Sequence, residues 1–380
     1  MERLVRATRA DAVVVGAGIT GALVSQALTE FGMRPLILDR RVGARLGSTA
    51  ASTALLQFEI DTPLLNLSRL IGRRAAEQVW KCSHAAVNDL RTQANRLGIA
   101  AHLKSRPSLY LAGDVLNASA LRHEARARQR LGLPSELLNR SQLHRHFDID
   151  RSAAILSHGN AEADPIALTN GFLKHAIRRG ARLHGPHEVT ALHASRTGIT
   201  VFTYGGPEIH ARYVILCTGY EFPKIVPLEG NRIISTWALA TRPQPRQLWP
   251  QRALIWEASA PYLYLRTTLD GRIVCGGEDE EFAEVRRRDA QIGAKTARLE
   301  QKLGRLFPRV NARAAYAWTA CFGASVTGVP TIGEIPGYPR CFAALGYGGN
   351  GITFSMLAAS LLTAAMRGKR DPDARLFEFK

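Results

Sequence analysis

Apolar positions along this chain come in short blocks that switch between two periods. Ala12 to Val15 is an unbroken apolar run, Ile19, Ala22, Leu23 and Ala27 recur at helical spacing, and Leu36 to Leu38 is a second run closing at Asp39. The switch predicts a buried strand, a helix stopping before Gly32, and a second buried strand. Helical spacing is also read from Leu64 to Lys81 and from Ala85 to Leu97, where Val87, Leu90, Ala94 and Leu97 share a face. Ser108 to Ala112 reads as a strand and Ala118 to Leu131 as a helix. Asp164-Pro165 opens another helix, with Leu168, Phe172 and Ala176 on one side. Strand-like runs follow at Val189–Leu192, Ile199–Tyr204 and Ile209–Cys217. From Asn231 to Gly277 strand signals dominate: Ile233–Thr241, Tyr262–Arg266 and Ile273–Gly276, separated by polar turns. A basic helix then carries Val285, Ile292, Leu299, Leu303 and Leu306, and a glycine loop, Gly346 to Gly351, leads into a last helix.

A length of 380 residues allows two or three domains, and 46% hydrophobic with 22% charged residues is ordinary for a globular protein. The balance of 50 Lys+Arg over 32 Asp+Glu gives +18. The densest basic stretches, Arg122 to Arg130 and Arg286 to Arg288, have acids nearby and no interleaved aromatic residues. A solvated basic surface is therefore favoured and a nucleic-acid partner is not expected. Loose association with a membrane surface stays open. The five cysteines form no C-x-x-C pair. With the scattered histidines, they give no basis for a metal or a disulfide framework. A cytoplasmic location is expected, with peripheral membrane placement left open. Ile352 to Met366 carries hydroxyl residues and falls short of a membrane span.

Gly16-Ala17-Gly18-Ile19-Thr20-Gly21 is a G-x-G-x-x-G turn between the first strand and helix. Such glycines allow a tight turn, close approach of a pyrophosphate, and close packing of helix on strand. The helix N-terminus offers unpaired N–H groups to phosphates. Asp39, ending the second strand, is placed to accept from the ribose hydroxyls, and an acid there disfavours a 2′-phosphate. Val214 to Gly219, an apolar strand ending in Thr218-Gly219, supports a nucleotide beside it. Two further segments favour FAD over NAD. Gly47 to Ala54 is rich in small and hydroxyl residues and can thread past an extended cofactor. The loop Gly346-Tyr347-Gly348-Gly349-Asn350-Gly351-Ile352-Thr353 opens a helix whose N-terminus can stabilise charge at the N1–C2=O edge of a reduced flavin.

Together, Val13 to Gly21, Gly47 to Gln57, Ser108 to Ala112, Val214 to Tyr220, Gly328 to Gly333 and Gly346 to Thr353 resemble the D-amino-acid oxidase, glycine oxidase and sarcosine oxidase family of flavoproteins. The resemblance implies an α/β architecture: a Rossmann-like, glutathione-reductase-type FAD-binding domain plus an α+β substrate domain with a mixed, mostly antiparallel sheet. The expected division is residues 1–80, 148–222 and 318–380 for FAD and 81–147 and 223–317 for substrate. FAD is expected to bind non-covalently. The expected cofactor set is Val15, Gly16, Gly18, Ile19, Thr20, Gly21, Asp39, Arg40 and Arg41 in the first unit, then Ser48, Thr49, Ser52 and Thr53. It continues with Val189, Thr218 and Gly219, and ends with Gly346, Gly348, Gly349, Asn350, Gly351, Ile352 and Thr353.

The family's usual substrate anchors are absent. The position where glycine oxidase-like chains carry a carboxylate-gripping arginine is Phe322, and the basic positions of sarcosine oxidase-like loops are Ala50 and Ala54. Tyr262, Tyr264 and Arg266 alternate on one strand face and could roof the flavin, with Arg266 holding an acidic group. The competing reading is sheet packing with a structural ion pair. Cys321 lies one residue from the position some relatives use for covalent attachment and reads as an inert thiol. The resemblance implies oxidation of an amine or amino acid to an imine by hydride transfer to flavin N5, then hydrolysis, with oxygen or a membrane-linked acceptor reoxidising the flavin. Oxidation of a hydroxy acid or polyol would need a base that no histidine obviously supplies. No second G-x-G-x-x-G is found for an NAD(P)H-dependent monooxygenase, and an electron-relay subunit remains the non-catalytic alternative.

Overall fold

The computed structural model describes residues 3–43, 47–195, 197–227 and 230–379. Two sheets organise them. The first has eight strands in the order Thr331–Glu334, Cys341–Leu345, Ile209–Leu216, Thr8–Val15, Leu36–Leu38 and Arg182–His184, with Val189–Ala194 and Ile199–Thr203 attached beside Ile209–Leu216. Thr8–Val15 runs parallel to both of its neighbours. Strands buried on both faces need apolar side chains on both, which explains unbroken runs such as Ala12 to Val15. Helices Ile19–Glu30 and Gly351–Met366 bury most of their surface against this sheet and each other.

The second sheet has nine strands in the order Ala314–Ala324, Arg232–Thr241, Ile273–Glu281, Leu263–Thr267, Leu254–Glu257, Lys104–Leu111, Ala153–Glu162 and Leu55–Leu56, with Ser135–Asn139 paired to Ala153–Glu162. The pairs are antiparallel except Leu254–Glu257 with Lys104–Leu111. Helix Ile292–Leu306 covers one face through Leu299, Leu303 and Leu306, all buried with Trp237 and Leu239. Each such side chain contributes roughly 1.5–3 kcal/mol of apolar burial.

The α/β class with a mixed second sheet agrees with the sequence reading, but several boundaries move. Helix Leu64–Ile71 stops at Gly72, whose φ of 85° breaks the turn, and the next helix runs unbroken over Arg73–Arg96. The sequence reading put the break near Ser83, where no residue resists helix. The basic helix is two, Val285–Ala290 and Ile292–Leu306, and Val285 is exposed rather than part of the apolar face. Strands Ala153–Glu162 and Ala314–Ala324 belong to the second sheet. The divisions drawn at 148 and 318 placed the first of these, and most of the second, with the FAD domain. Strand membership is decided by partners far away in sequence, which local periodicity does not carry.

One buried ion pair ties a helix start into the core. Helix Leu64–Ile71 has Pro63 at its N-cap and no cap of its own. Glu124 supplies one: its carboxylate accepts from Leu64 N (2.8 Å), Leu65 N (3.0 Å) and Arg128 Nε (2.8 Å). Arg128 is fully buried, with its guanidinium 4.5 Å from the Trp80 ring centroid. Removing the carboxylate leaves a buried cation and uncapped N–H groups. Glu124→Ala is expected to lose about 3–5 kcal/mol, read by urea unfolding. Glu124→Gln, which can still cap the helix, is expected to lose less.

Candidate cofactor and substrate site

The glycine turn is closed by backbone contact. Gly16 has φ +110°, and a Cβ there would lie 2.3 Å from Cys217 O; one on Gly21 would lie 1.9 Å from Gly16 O. Gly16 N donates to Leu38 O (2.7 Å) and Cys217 N to Val15 O (2.8 Å), so both neighbouring strands meet at the turn. Helix Ile19–Glu30 has no side-chain cap from its N-cap residue, Gly18. Ile19 N instead donates to Thr49 Oγ1 (3.1 Å), which brings the hydroxyl-rich loop onto the helix end. Asp39 is buried and accepts from Ala17 N (2.8 Å) and Arg41 N (2.9 Å). Its remaining lone pairs suit ribose hydroxyls.

Other expected residues take more varied places. Thr20 turns its hydroxyl to Ser355 (2.7 Å), leaving only its backbone at the turn. Arg40 and Arg41 both pair with Glu221 (2.7 and 2.9 Å). Partly exposed pairs of this kind are worth little and exchange readily for a phosphate. Val189 follows His187, whose N–H donates to Asp39 O (2.7 Å). Thr218 Oγ1 donates to Glu221 O (2.5 Å) and closes the turn at Gly219, where φ is +67°. Ser52 Oγ accepts from Ala54 N (3.1 Å).

The late glycine loop also differs from expectation. Gly348 N donates to Gly323 O (2.9 Å), Gly349 N to Asp61 Oδ2 (2.7 Å) and Asn350 N to Tyr347 O (3.3 Å). These donors are already engaged within the chain. Asn350 uses its side-chain amide on Gln57 O and Glu59 O, and Thr353 Oγ1 donates to Gln57 O. Helix Gly351–Met366 therefore begins with no side-chain cap. The first-turn N–H groups of Gly351, Ile352 and Thr353 are the donors that suit an anionic ring edge. The uncapped start of helix Gly351–Met366, the close backbone approach at Gly16 and Gly21 and the spare acceptors of Asp39 form a set that fits FAD.

The second sheet turns one face to this loop. Trp318 Nε1 donates to Ala51 O (3.0 Å), and Arg266 Nε donates to Thr53 O. Tyr262 and Tyr264 lie side by side, ring centroids 5.6 Å apart, and Tyr264 crosses Gly276, where a Cβ would be 2.2 Å from its ring. The shared strand face was legible in the alternation. The role expected of Arg266 was not: its guanidinium also donates to Thr267 O (3.0 Å), so backbone carbonyls occupy it. Burial lowers its proton affinity, while Glu162 and Asp164 oppose that shift. Phe322 stands edge-on to Tyr220 (6.5 Å), and Tyr220 donates to Gly348 O (3.2 Å). Cys321 registers opposite Ser235, whose hydroxyl reaches Phe282 O, and it alternates with Phe322 to the other face.

Two carboxylates escaped the sequence reading. Asp61 reaches Gly349 from the segment after Leu55–Leu56. It is open to the cleft yet set deep among protein atoms, and burial raises its proton affinity against the pull of the Gly349 N–H. Asp279 follows Gly276-Gly277, and burial pushes its carboxyl up to about 6. The Gly-Gly pair before an acidic run was the available signal, since paired glycines within a strand mark a bulge. A separate hollow of about 220 Å³, lined by Leu23, Phe31 and Arg367, lies at the far ends of the two helices from the glycine turn.

This geometry defines a two-layer flavoprotein of the oxidoreductase class. The sequence matches the family model described as DAO, FAD dependent oxidoreductase, over residues 11–365, and the chain belongs to that family. It is 24% identical over 381 residues to the gamma-glutamylputrescine oxidoreductase of Escherichia coli (strain K12), covering 97% of this chain and 85% of the relative. Its fold is similar to glycine oxidase from Geobacillus kaustophilus (TM-score 0.81, 19% identity, 98% of each chain). It is also similar to L-proline dehydrogenase from P. horikoshii (TM-score 0.79, 16% identity, 98% of this chain and 97% of that one).

Arg266 generates a test. Because it holds Thr53, Arg266→Ala is expected to loosen the Ser48–Ala54 loop and weaken FAD by roughly ten- to a hundredfold, the worth of a charge-assisted hydrogen bond. Fluorescence titration of the apoprotein with FAD reads this. Unchanged FAD affinity with weakened carboxylate binding would restore the substrate role.

Proposed function

We propose that this chain oxidises an amine or amino acid to an imine, which water then hydrolyses. The observation that carries the reading is a glycine-turn dinucleotide site facing the segment Tyr262–Arg266, whose cleft face carries tyrosines and an arginine and no histidine. Bound FAD supplies the hydride acceptor at N5. The residues that would hold it are Gly16, Gly18 and Asp39 at the nucleotide end and the Gly351–Thr353 helix start at the ring end. The protein's part is to orient the substrate C–H and exclude water, which needs no strong base because the nitrogen lone pair assists the departing hydride. Tyr262, Tyr264 and Phe322 are the apolar wall for that orientation. Burial holds both tyrosines protonated, so their hydroxyls serve as donors rather than bases. The names of the relatives, gamma-glutamylputrescine oxidoreductase, glycine oxidase and L-proline dehydrogenase, all refer to nitrogen compounds and support the same class.

Purified protein is expected to carry a flavin absorbance spectrum. Anaerobic mixing with panels of amines, amino acids, hydroxy acids and NAD(P)H is expected to bleach it with an amine or amino acid alone. Bleaching by a hydroxy acid or by NAD(P)H would overturn the reading, and bleaching by none would favour an electron-relay role.

A further inference from the structure

The strand Ile273–Glu281 does not run straight. Trp237 registers with Gly277 and Ser235 with Glu280, so Thr236 alone faces both Glu278 and Asp279. This is a β-bulge, which re-aims the side chains beside it. Gly277 has φ +141°, and a Cβ there would lie 2.1 Å from Tyr262 O. Glu278, at φ +59°, is a non-glycine residue in the left-handed region. Its side chain is held on the helix side by Lys302 Nζ (2.6 Å), Arg298 Nη1 (3.5 Å) and Lys295 Nζ (3.8 Å), and Lys295 also donates to its carbonyl (2.7 Å). With Glu278 fixed there, the extra residue turns Asp279 to the opposite face, beside Tyr262 and Thr236.

Both carboxylate oxygens of Asp279 are closed to solvent, and neither has a hydrogen-bond partner of good geometry. The hydroxyls of Tyr262 and Thr236 stand near enough to favour its ionised form, while burial and Asp61 across the cleft oppose it. Lys295 is the cation that acts on it, but that ammonium is bound to Glu280 (2.7 Å) and to the Glu278 carbonyl. A buried acceptor left without a donor is unfavourable, and a strained backbone that aims it points to a ligand that completes it. The surroundings choose the ligand's charge: the rings of Tyr262 and Tyr264 lie beside Asp279, aromatic rings attract cations, and Arg266 is engaged elsewhere.

We infer that Asp279 anchors the substrate amine in its ammonium form and takes up the ammonium proton before the C–H hydride leaves, so that the cleft takes a cationic alkylamine rather than a compound gripped by its carboxylate. This assignment rests on the amine-oxidising reading above and narrows it to a substrate class.

The test uses FAD-loaded protein held anaerobically with n-butylamine and with butyrate, which differ in the charge of the head group. At about pH 8 butylamine is expected to perturb or bleach the flavin spectrum saturably and butyrate to leave it unchanged. The amine affinity is expected to fall as pH drops through about 6, where Asp279 takes up a proton among Asp61, Thr236, Tyr262 and Lys295. Asp279→Asn is expected to weaken butylamine by about tenfold or more.

The variant's stability checks the same group. The folded state raises this carboxyl above its ordinary value, so the cost of holding it ionised is present above about pH 6 and vanishes below the ordinary carboxylate range. Asp279→Asn is therefore expected to melt no lower than the parent at pH 8. A holoprotein that answers to butyrate, or to neither probe, overturns the assignment without any variant, and so does an Asp279→Asn protein with undiminished amine affinity. Failure to take up FAD at all would instead strike the proposed function and carry the assignment down with it.

Discussion

The short segment from Ser48 to Ala54, a single helical turn over Ser48–Ala51 and the loop after it, is gripped from both layers, and the cleft depends on that grip. From the first sheet, the start of helix Ile19–Glu30 donates to Thr49. From the second, Trp318 and Arg266 donate to the carbonyls of Ala51 and Thr53. Carbonyls between two apolar layers need donors, and without these side chains the loop would have to leave the interface or the layers close on it. The loop thus acts as a polar spacer. It ties a glycine turn suited to phosphates to a tyrosine-bearing face suited to a substrate.

The first unit was legible in the sequence because its constraints act within about thirty residues. A strand, a turn that only glycine can close, a helix and a terminal acid leave a local pattern, and the structure places them as read. The second layer was less legible. Ala153–Glu162 is a strand because Lys104–Leu111 and Ser135–Asn139 pair with it, and nothing within that segment names those partners. Glu124 caps a helix some sixty positions earlier in the chain, a link no spacing rule reaches. Arg266 shows the intermediate case. Alternation put it on the correct face, but what it holds was decided by Thr53, a residue more than two hundred positions away.

Phe322 links these themes. Where a carboxylate-binding arginine would bring a fixed cation into the cleft, this chain has an aromatic ring against Tyr220, which in turn reaches the Gly348 carbonyl. An apolar residue there changes more than one contact. It removes the counter-charge that would hold a substrate carboxylate, and it also removes the cation that would pair with nearby acids. Asp61 then adds to the cost of ionising Asp279, which burial already raises.

The chain as a whole carries +18, and at first sight that opposes a cationic substrate. The two effects act at different range. Surface charges are screened beyond about 8 Å at physiological salt, so the excess of arginine over the outer surface weakens quickly with distance. At Asp279, whose oxygens are closed to solvent, screening is weak and the nearest charges dominate. The basic surface slows the approach of a cation somewhat, whereas the cleft determines whether it stays. A strand bulge that holds Glu278 against three cations on one side and turns Asp279 to the other separates those roles within two consecutive residues. One acid is neutralised to stabilise the sheet on its helix, and its neighbour is turned to the other face, where its oxygens lie closed to solvent beside the hydroxyls of Tyr262 and Thr236.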